Sequence, residues 1–181
     1  MKTIGLFCGA SKGLKPDYRK AAEALVDALV EQGIAIVYGG GNVGLMGIVA
    51  DRALALGGWV TGVIPRVLIQ QEQAHQGLSE LILVDDMHER KKTMSELADG
   101  FITLSGGSGS MDELFQEITL RQVGHHNKIS SILNTAGYYD HLLSWLEHSV
   151  QEGFFNQHLF DSLIVDDSPA NIVRRLKGVS G

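Results

Sequence analysis

The sequence is short of several things, and each shortage removes a class of protein. It has one cysteine, Cys8, so no intrachain disulfide can form. It has no surplus of basic charge: 15 Lys and Arg against 21 Asp and Glu leave a net charge of −6. That argues against a broad nucleic-acid-binding face, which needs a basic surface. A small phosphate ligand needs only a few local donors and stays open. No apolar run is long enough to span a membrane. The N-terminus runs straight into a strand-like segment without a signal-peptide pattern, and the expectation is a cytoplasmic protein. Only 3 residues are proline, whereas 22 are glycine, clustered where strands should end rather than spread as in a disordered chain.

What is present is an alternation of apolar β-rich runs with helical patterns. Strands are expected at 3–8, 34–38, 59–64, 81–84, 101–104 and 129–133. Helices are expected at 17–31, 45–56, 88–98, 111–123 and 138–152, with a short last one at 169–176. Residues 66–80, rich in Gln, fit neither pattern. Nearly continuous apolar strands suit a sheet buried on both faces. Strand–helix alternation then implies right-handed crossovers and a Rossmann-like, doubly wound parallel sheet flanked by helices. One α/β domain over 1–181 is expected, with ligands beyond the carboxyl ends of the strands.

Two glycine-rich stretches fall at such ends. Gly39-Gly40-Gly41-Asn42-Val43-Gly44 matches G-x-G-x-x-G between a strand and a helix. A dinucleotide site would add an acid at the end of the next strand, but Val63-Ile64-Pro65 has none, which disfavours NAD. A nucleotide contact through Gly40 and Gly41 and a ligand-free tight turn both fit the spacing. Ser105-Gly106-Gly107-Ser108-Gly109-Ser110 also opens a helix, without the Gly-Lys of a Walker loop. Its amides and hydroxyls suit a phosphate.

Glu113 has two readings. Ser110-Met111-Asp112-Glu113 has the spacing of a capping box, with Ser110 as N-cap and Glu113 as N3. On spacing alone the cap is favoured. In that register Asp112 and Glu113 would also put negative charge in the first helical turn, against a phosphate. Cations would have to come from Arg90-Lys91-Lys92, which reads either as a ligand site at the same sheet edge or as a solvated basic face. The histidines show no metal-binding spacing, and Cys8 reads as a small buried hydrophobe.

Taken together, these residues resemble the LOG ("Lonely guy") family of cytokinin riboside 5′-monophosphate phosphoribohydrolases, formerly labelled lysine decarboxylases. The family pattern Pro-Gly-Gly-x-Gly-Thr-x-x-Glu is matched by Ser105 to Glu113, and Met-His-x-Arg-Lys stands intact as Met87 to Lys91. Tyr38 to Gly47, Phe7 to Ser11 and Leu133 to Asp140 also resemble family segments, so the likeness covers about residues 3–155. Ser105 replaces the family's Pro, which would have fixed φ, and Ser110 replaces Thr while keeping the hydroxyl.

The resemblance implies N-glycosidic hydrolysis of N6-modified adenosine 5′-monophosphates, with Arg90 and Glu113 as the catalytic pair. It implies substrate contacts from Glu72, Met87, Lys91, Gly106, Gly107, Ser108, Gly109, Ser110 and Thr119. It further implies a homodimer and no metal or redox cofactor. Two other functions share the pattern: a nucleotide sensor or carrier of the same fold, and a pyridoxal-phosphate decarboxylase for which no cofactor constellation is visible.

Overall fold

The computed structural model describes residues 1–179. The domain expected over 1–181 includes residues 180 and 181, which lie outside them. Seven parallel strands form one sheet in the order β4-β3-β2-β1-β5-β6-β7. The strands are β1 (Thr3–Phe7), β2 (Ala35–Tyr38), β3 (Val60–Pro65), β4 (Glu80–Val84), β5 (Gly100–Thr103), β6 (Ser130–Leu133) and β7 (Ile164–Asp166). The helices are α1 (Pro16–Glu31), α2 (Gly44–Ala55), α3 (Met87–Leu97), α4 (Ser108–Gln122), α5 (Asp140–Gln151), α6 (Gln157–Asp161) and α7 (Pro169–Val179). The chain winds outward from β1 to β4, then crosses back to β5 on the other side of β1. The carboxyl ends of β1 and β5 therefore flank the switch point, where a doubly wound sheet opens a crevice.

Period-two alternation assigns the strand side chains to two cores. Ile4, Leu6, Ile36 and Tyr38 pack with Leu25 and Leu29 of α1, Val49 of α2 and Ile172 of α7. Phe7, Val37 and Phe101 face the other way, toward Met94 of α3. Phe7 and Phe101 stack at 5.5 Å on adjacent strands. Leu114 and Ile118 of α4 join Ile132 and Leu146 in a third cluster.

A buried carboxylate ties the two helices that matter most below. Glu117 of α4 accepts from Ser95 Oγ of α3 at 2.8 Å and from His126 Nε2 at 3.0 Å. His126 Nδ1 accepts the Lys128 amide at 3.2 Å, so Nε2 is the nitrogen that carries the proton.

The doubly wound architecture is as expected, the short helix α6 at Gln157–Asp161 is added, and three further local readings change. Strand β7 is added: with only three residues it gives no periodic signal, and pairing with β6 creates it. The helix expected from 138 begins at Asp140, after a 3-10 turn at Thr135–Gly137. The helix expected from 111 begins one turn earlier, at Ser108. Among the described residues no helix is long and apolar enough to cross a membrane.

Candidate active site

A cavity of about 650 Å³ lies over the switch point, a size suited to a small ligand. Cys8 and the loop after β1 form one wall; Leu45 and Met46 of α2 and Leu68 form an apolar one. Glu72, Met87, Arg90 and Glu113 lie inside, and the second glycine loop with Tyr138 closes the far end.

Helix α4 starts at that loop. Gly107 is its extended N-cap and makes no side-chain cap bond. Ser108, Gly109 and Ser110 are then the first three helical residues, whose amides have no intrahelical acceptor. The capping box therefore does not form: Ser110 is inside the first turn, and Glu113 lies a turn further on. The first turn holds no acid, so the expected conflict between Asp112, Glu113 and a phosphate disappears. Gly106 is needed because a Cβ there would stand 2.1 Å from Ser110 Oγ. Two consecutive tyrosines brace the loop: Tyr138 OH donates to Gly106 O at 2.6 Å, and Tyr139 OH to Leu104 O at 2.7 Å. The Ser105 hydroxyl is buried with no hydrogen-bond partner among the described residues.

The other glycine stretch has a different use. Arg90 is 5% exposed and spends its guanidinium on the protein. Nε donates to Val63 O at 3.1 Å, and Nη2 donates to Gly39 O at 2.7 Å and to Glu72 at 2.8 Å. Nη1 reaches Glu72 at 3.4 Å and Met87 Sδ at 3.6 Å. A Cβ at position 39 would lie 2.1 Å from Nη2, so that glycine makes room for the arginine. The Gly40 carbonyl accepts from the His75 amide at 3.0 Å, and Gly41 forms an antiparallel bridge with Ala74. Gly40 and Gly41, expected as nucleotide contacts, are not among the residues that line the cavity. Their backbone is consumed in holding the 66–80 segment.

That segment carries Glu72. Its anchor is His75, whose Nδ1 accepts from the Gly77 amide at 3.0 Å while Nε2 donates to Asp51 of α2 at 3.0 Å. The start of α2 is also occupied. The Leu45 amide donates to Gly9 O at 3.0 Å, and Gly44, at φ +59, has no room for a Cβ beside Ala10. At the start of α4, by contrast, Ser108, Gly109 and Ser110 line the cavity and their amides have no acceptor within the helix.

Glu113 makes no hydrogen bond with Arg90; the two interact through charge alone. Burial pushes the Glu113 carboxyl up to about 7, against the attraction of Arg90 and with repulsion from Glu72 and Asp112 added. Such a group exchanges a proton near neutral pH. The buried Cys8 thiol is pushed up by burial and by Glu113, which leaves it a neutral apolar wall.

Two expected substrate contacts are not brought to the cavity. Lys91 Nζ holds both Asp112 carboxyl oxygens, at 3.0 and 2.9 Å. Thr119 lies with Met111, Phe115 and Gln116 on a shallow groove along the outside of α4. Sequence reasoning missed Leu45, Met46, Leu68 and Tyr138, which line the cavity. Only their place relative to the glycine loops could have signalled them. Among the described residues no group of three or more His, Cys, Asp or Glu is arranged to hold a metal ion.

A family model described as "Possible lysine decarboxylase" matches residues 46–176. The cytokinin riboside 5′-monophosphate phosphoribohydrolase LOG7 of Arabidopsis thaliana is 42% identical over 176 residues, covering 97% of this chain and 81% of that one. The phosphoribohydrolase of the same description from Rhodococcoides fascians is 44% identical over 165 residues, 91% and 83% of the two chains. The chain belongs to the LOG family. More distant solved structures share its fold. The molybdenum cofactor carrier protein of Chlamydomonas reinhardtii aligns with a TM-score of 0.75 at 16% identity, covering 99% of this chain and 98% of that one. The molybdenum cofactor binding protein of Rippkaea orientalis gives 0.70 at 19%, over 99% and 98%. LOG-family membership and an acid–base carboxyl in the crevice together point to catalysis rather than carriage.

Proposed function

We propose that this protein hydrolyses the N-glycosidic bond of N6-modified adenosine 5′-monophosphates, releasing the free base and ribose 5-phosphate. The observation that carries the reading is Glu113: a carboxyl poised near 7, one turn past the open start of α4, in a cavity with an apolar wall. The 5′-phosphate binds the amides of Ser108 to Ser110, where the helix dipole favours an anion. The base lies toward Leu45, Met46 and Leu68. The ribose then spans the space beside Glu113.

In the reaction the bond between the anomeric carbon and the base nitrogen breaks, and positive charge gathers on the ribosyl ring. Ionised Glu113 stabilises that charge and takes a proton from the attacking water. The water's hydroxyl joins the anomeric carbon and keeps its own proton, and the departing nitrogen ends with the proton that Glu113 took, which returns the carboxylate to its ionised form. Arg90 is a positioning residue: it fixes Glu72, and its charge keeps a fraction of Glu113 ionised at neutral pH. No residue role requires a metal or redox cofactor.

A homodimer fits the outer face of α4. Phe115 packs edge-on to exposed Trp145 at 5.9 Å and, with Met111 and Thr119, leaves an apolar strip for a second subunit. A cytoplasmic location goes with the substrate, since nucleoside monophosphates are charged and held inside cells. The deciding experiment is product analysis over a panel of nucleoside 5′-monophosphates that includes N6-prenylated AMP. Free base and ribose 5-phosphate are expected; release from none of them refutes the hydrolase reading.

A further inference from the structure

Four charged side chains line the cavity: Lys12, Glu72, Arg90 and Glu113. A dianionic phosphate entering this set meets two carboxylates, so a free cation is needed. Arg90 does not supply it, because all three of its nitrogens are engaged by Val63, Gly39, Glu72 and Met87. Lys91 does not supply it either, being held by Asp112 outside the cavity. Lys12 remains, and it forms no hydrogen bond or ion pair with any described residue.

The loop that carries Lys12 is built onto the phosphate end. The Gly9 amide donates to Ser105 O at 3.1 Å, and a Cβ on Gly9 would lie 3.3 Å from Gly106 Cα. The other end turns at Gly13, with φ +70, held by the Gly13 amide on Ser11 Oγ at 3.3 Å. Gly13 lies against the ring of Tyr18, where a Cβ would come within 2.6 Å of Cδ2. Tyr18 meets Tyr138 edge-on at 5.6 Å, and Tyr138 in turn holds Gly106. Both ends of the Lys12 loop are thus tied to the glycine loop that opens α4.

We propose that Lys12 is the cation that recognises the substrate's 5′-phosphate across from the start of α4, and so sets the preference for nucleotides over nucleosides. This inference rests on reading the cavity as a nucleotide site, but it concerns binding and not bond cleavage. An ammonium on a flexible stem suits this task, closing on the phosphate as a point charge while the α4 amides give direction.

The test compares the affinities of AMP and adenosine by calorimetry, in a Glu113→Gln background so that hydrolysis does not intrude. Lys12→Gln should weaken AMP binding about ten-fold and flatten its dependence on salt, since one phosphate contact is lost. Adenosine binding should stay within two-fold, and Lys12→Arg should restore most of the AMP affinity. Unchanged AMP affinity in Lys12→Gln overturns the proposal. So does an equal loss for adenosine, which would mark a structural role for the loop, and so does a parent protein that binds the two ligands equally. Wild-type protein that shows the Lys12-dependent preference yet releases no base would sink the hydrolase reading and leave this one standing.

Discussion

Replacing Glu113 with Gln should make the protein more stable while making it inactive. The carboxyl is raised from 4.5 to about 7 in the folded chain, chiefly by burial. Below pH 4.5 it is protonated in both folded and unfolded states and contributes no pH dependence. Between 4.5 and 7 the unfolded chain gives up the proton first, so stability falls as pH rises. Above 7 the full cost is present. At 1.36 kcal/mol per unit the limit is about 3 kcal/mol. The side chain is only half-buried by area, so solvent reduces this to about 1–3 kcal/mol. Gln copies the shape of the neutral carboxyl and carries no such cost. For a domain of this length each kcal/mol moves Tm by about 2–4 °C. Thermal unfolding without nucleotide should therefore show Glu113→Gln melting several degrees above wild type at pH 8, with the gap closing by pH 4.5. Equal melting temperatures at pH 8, or a gap that widens toward acid, would refute the reasoning. Hydrolysis by the same variant should fall below detection.

Other outcomes follow from neighbouring contacts. Wild-type kcat/KM should rise with pH through an inflection near 7, because the ionised carboxyl is the active form; a profile falling through that range would assign Glu113 the opposite, proton-donating role. Gly39→Ala should cost more than tenfold in activity while the chain still folds, since the new Cβ would stand 2.1 Å from Arg90 Nη2; full activity would show that the arginine's placement is unimportant. Tyr138→Phe frees the Gly106 carbonyl and should lower stability by about 1 kcal/mol with a raised KM for nucleotide. An unchanged KM would remove the tyrosine from loop bracing. Glu117→Ala strands Ser95 and His126 in a buried site and should cost about 2–4 kcal/mol in denaturant unfolding, against a loss under 1 kcal/mol if the network is incidental.

The sheet could be read because its strands are apolar on both sides and its helices carry long stripes. Strand β7 could not: Ile164–Asp166 is three residues long and becomes a strand only by pairing with β6. Long motifs pointed to the cavity, which both Arg90 and Glu113 line. The site was misread where a short pattern fitted two registers. Ser110-x-x-Glu113 satisfies a capping rule, yet Gly107 is the N-cap, and Ser110 Oγ tucks against Gly106 inside the first turn. The first glycine run stayed open between two readings for a related reason. Glycines admit any close neighbour, and the sequence does not say whether it will be a ligand or, as here, a guanidinium. Leu68 and Tyr138 belong to segments brought in from far along the chain, and nothing local marks them as cavity walls.

The carbonyl of Gly9 has an effect larger than its single hydrogen bond. Resting on the first turn of α2, it acts as a built-in competitor for any anion that approaches there. Because it is tethered, its effective concentration exceeds that of dissolved metabolites. A phosphate oxygen approaching the Leu45 amide meets an acceptor already in place. That amide is closed without a gate or a bulky side chain, while the first amides of α4 have no acceptor within their own helix.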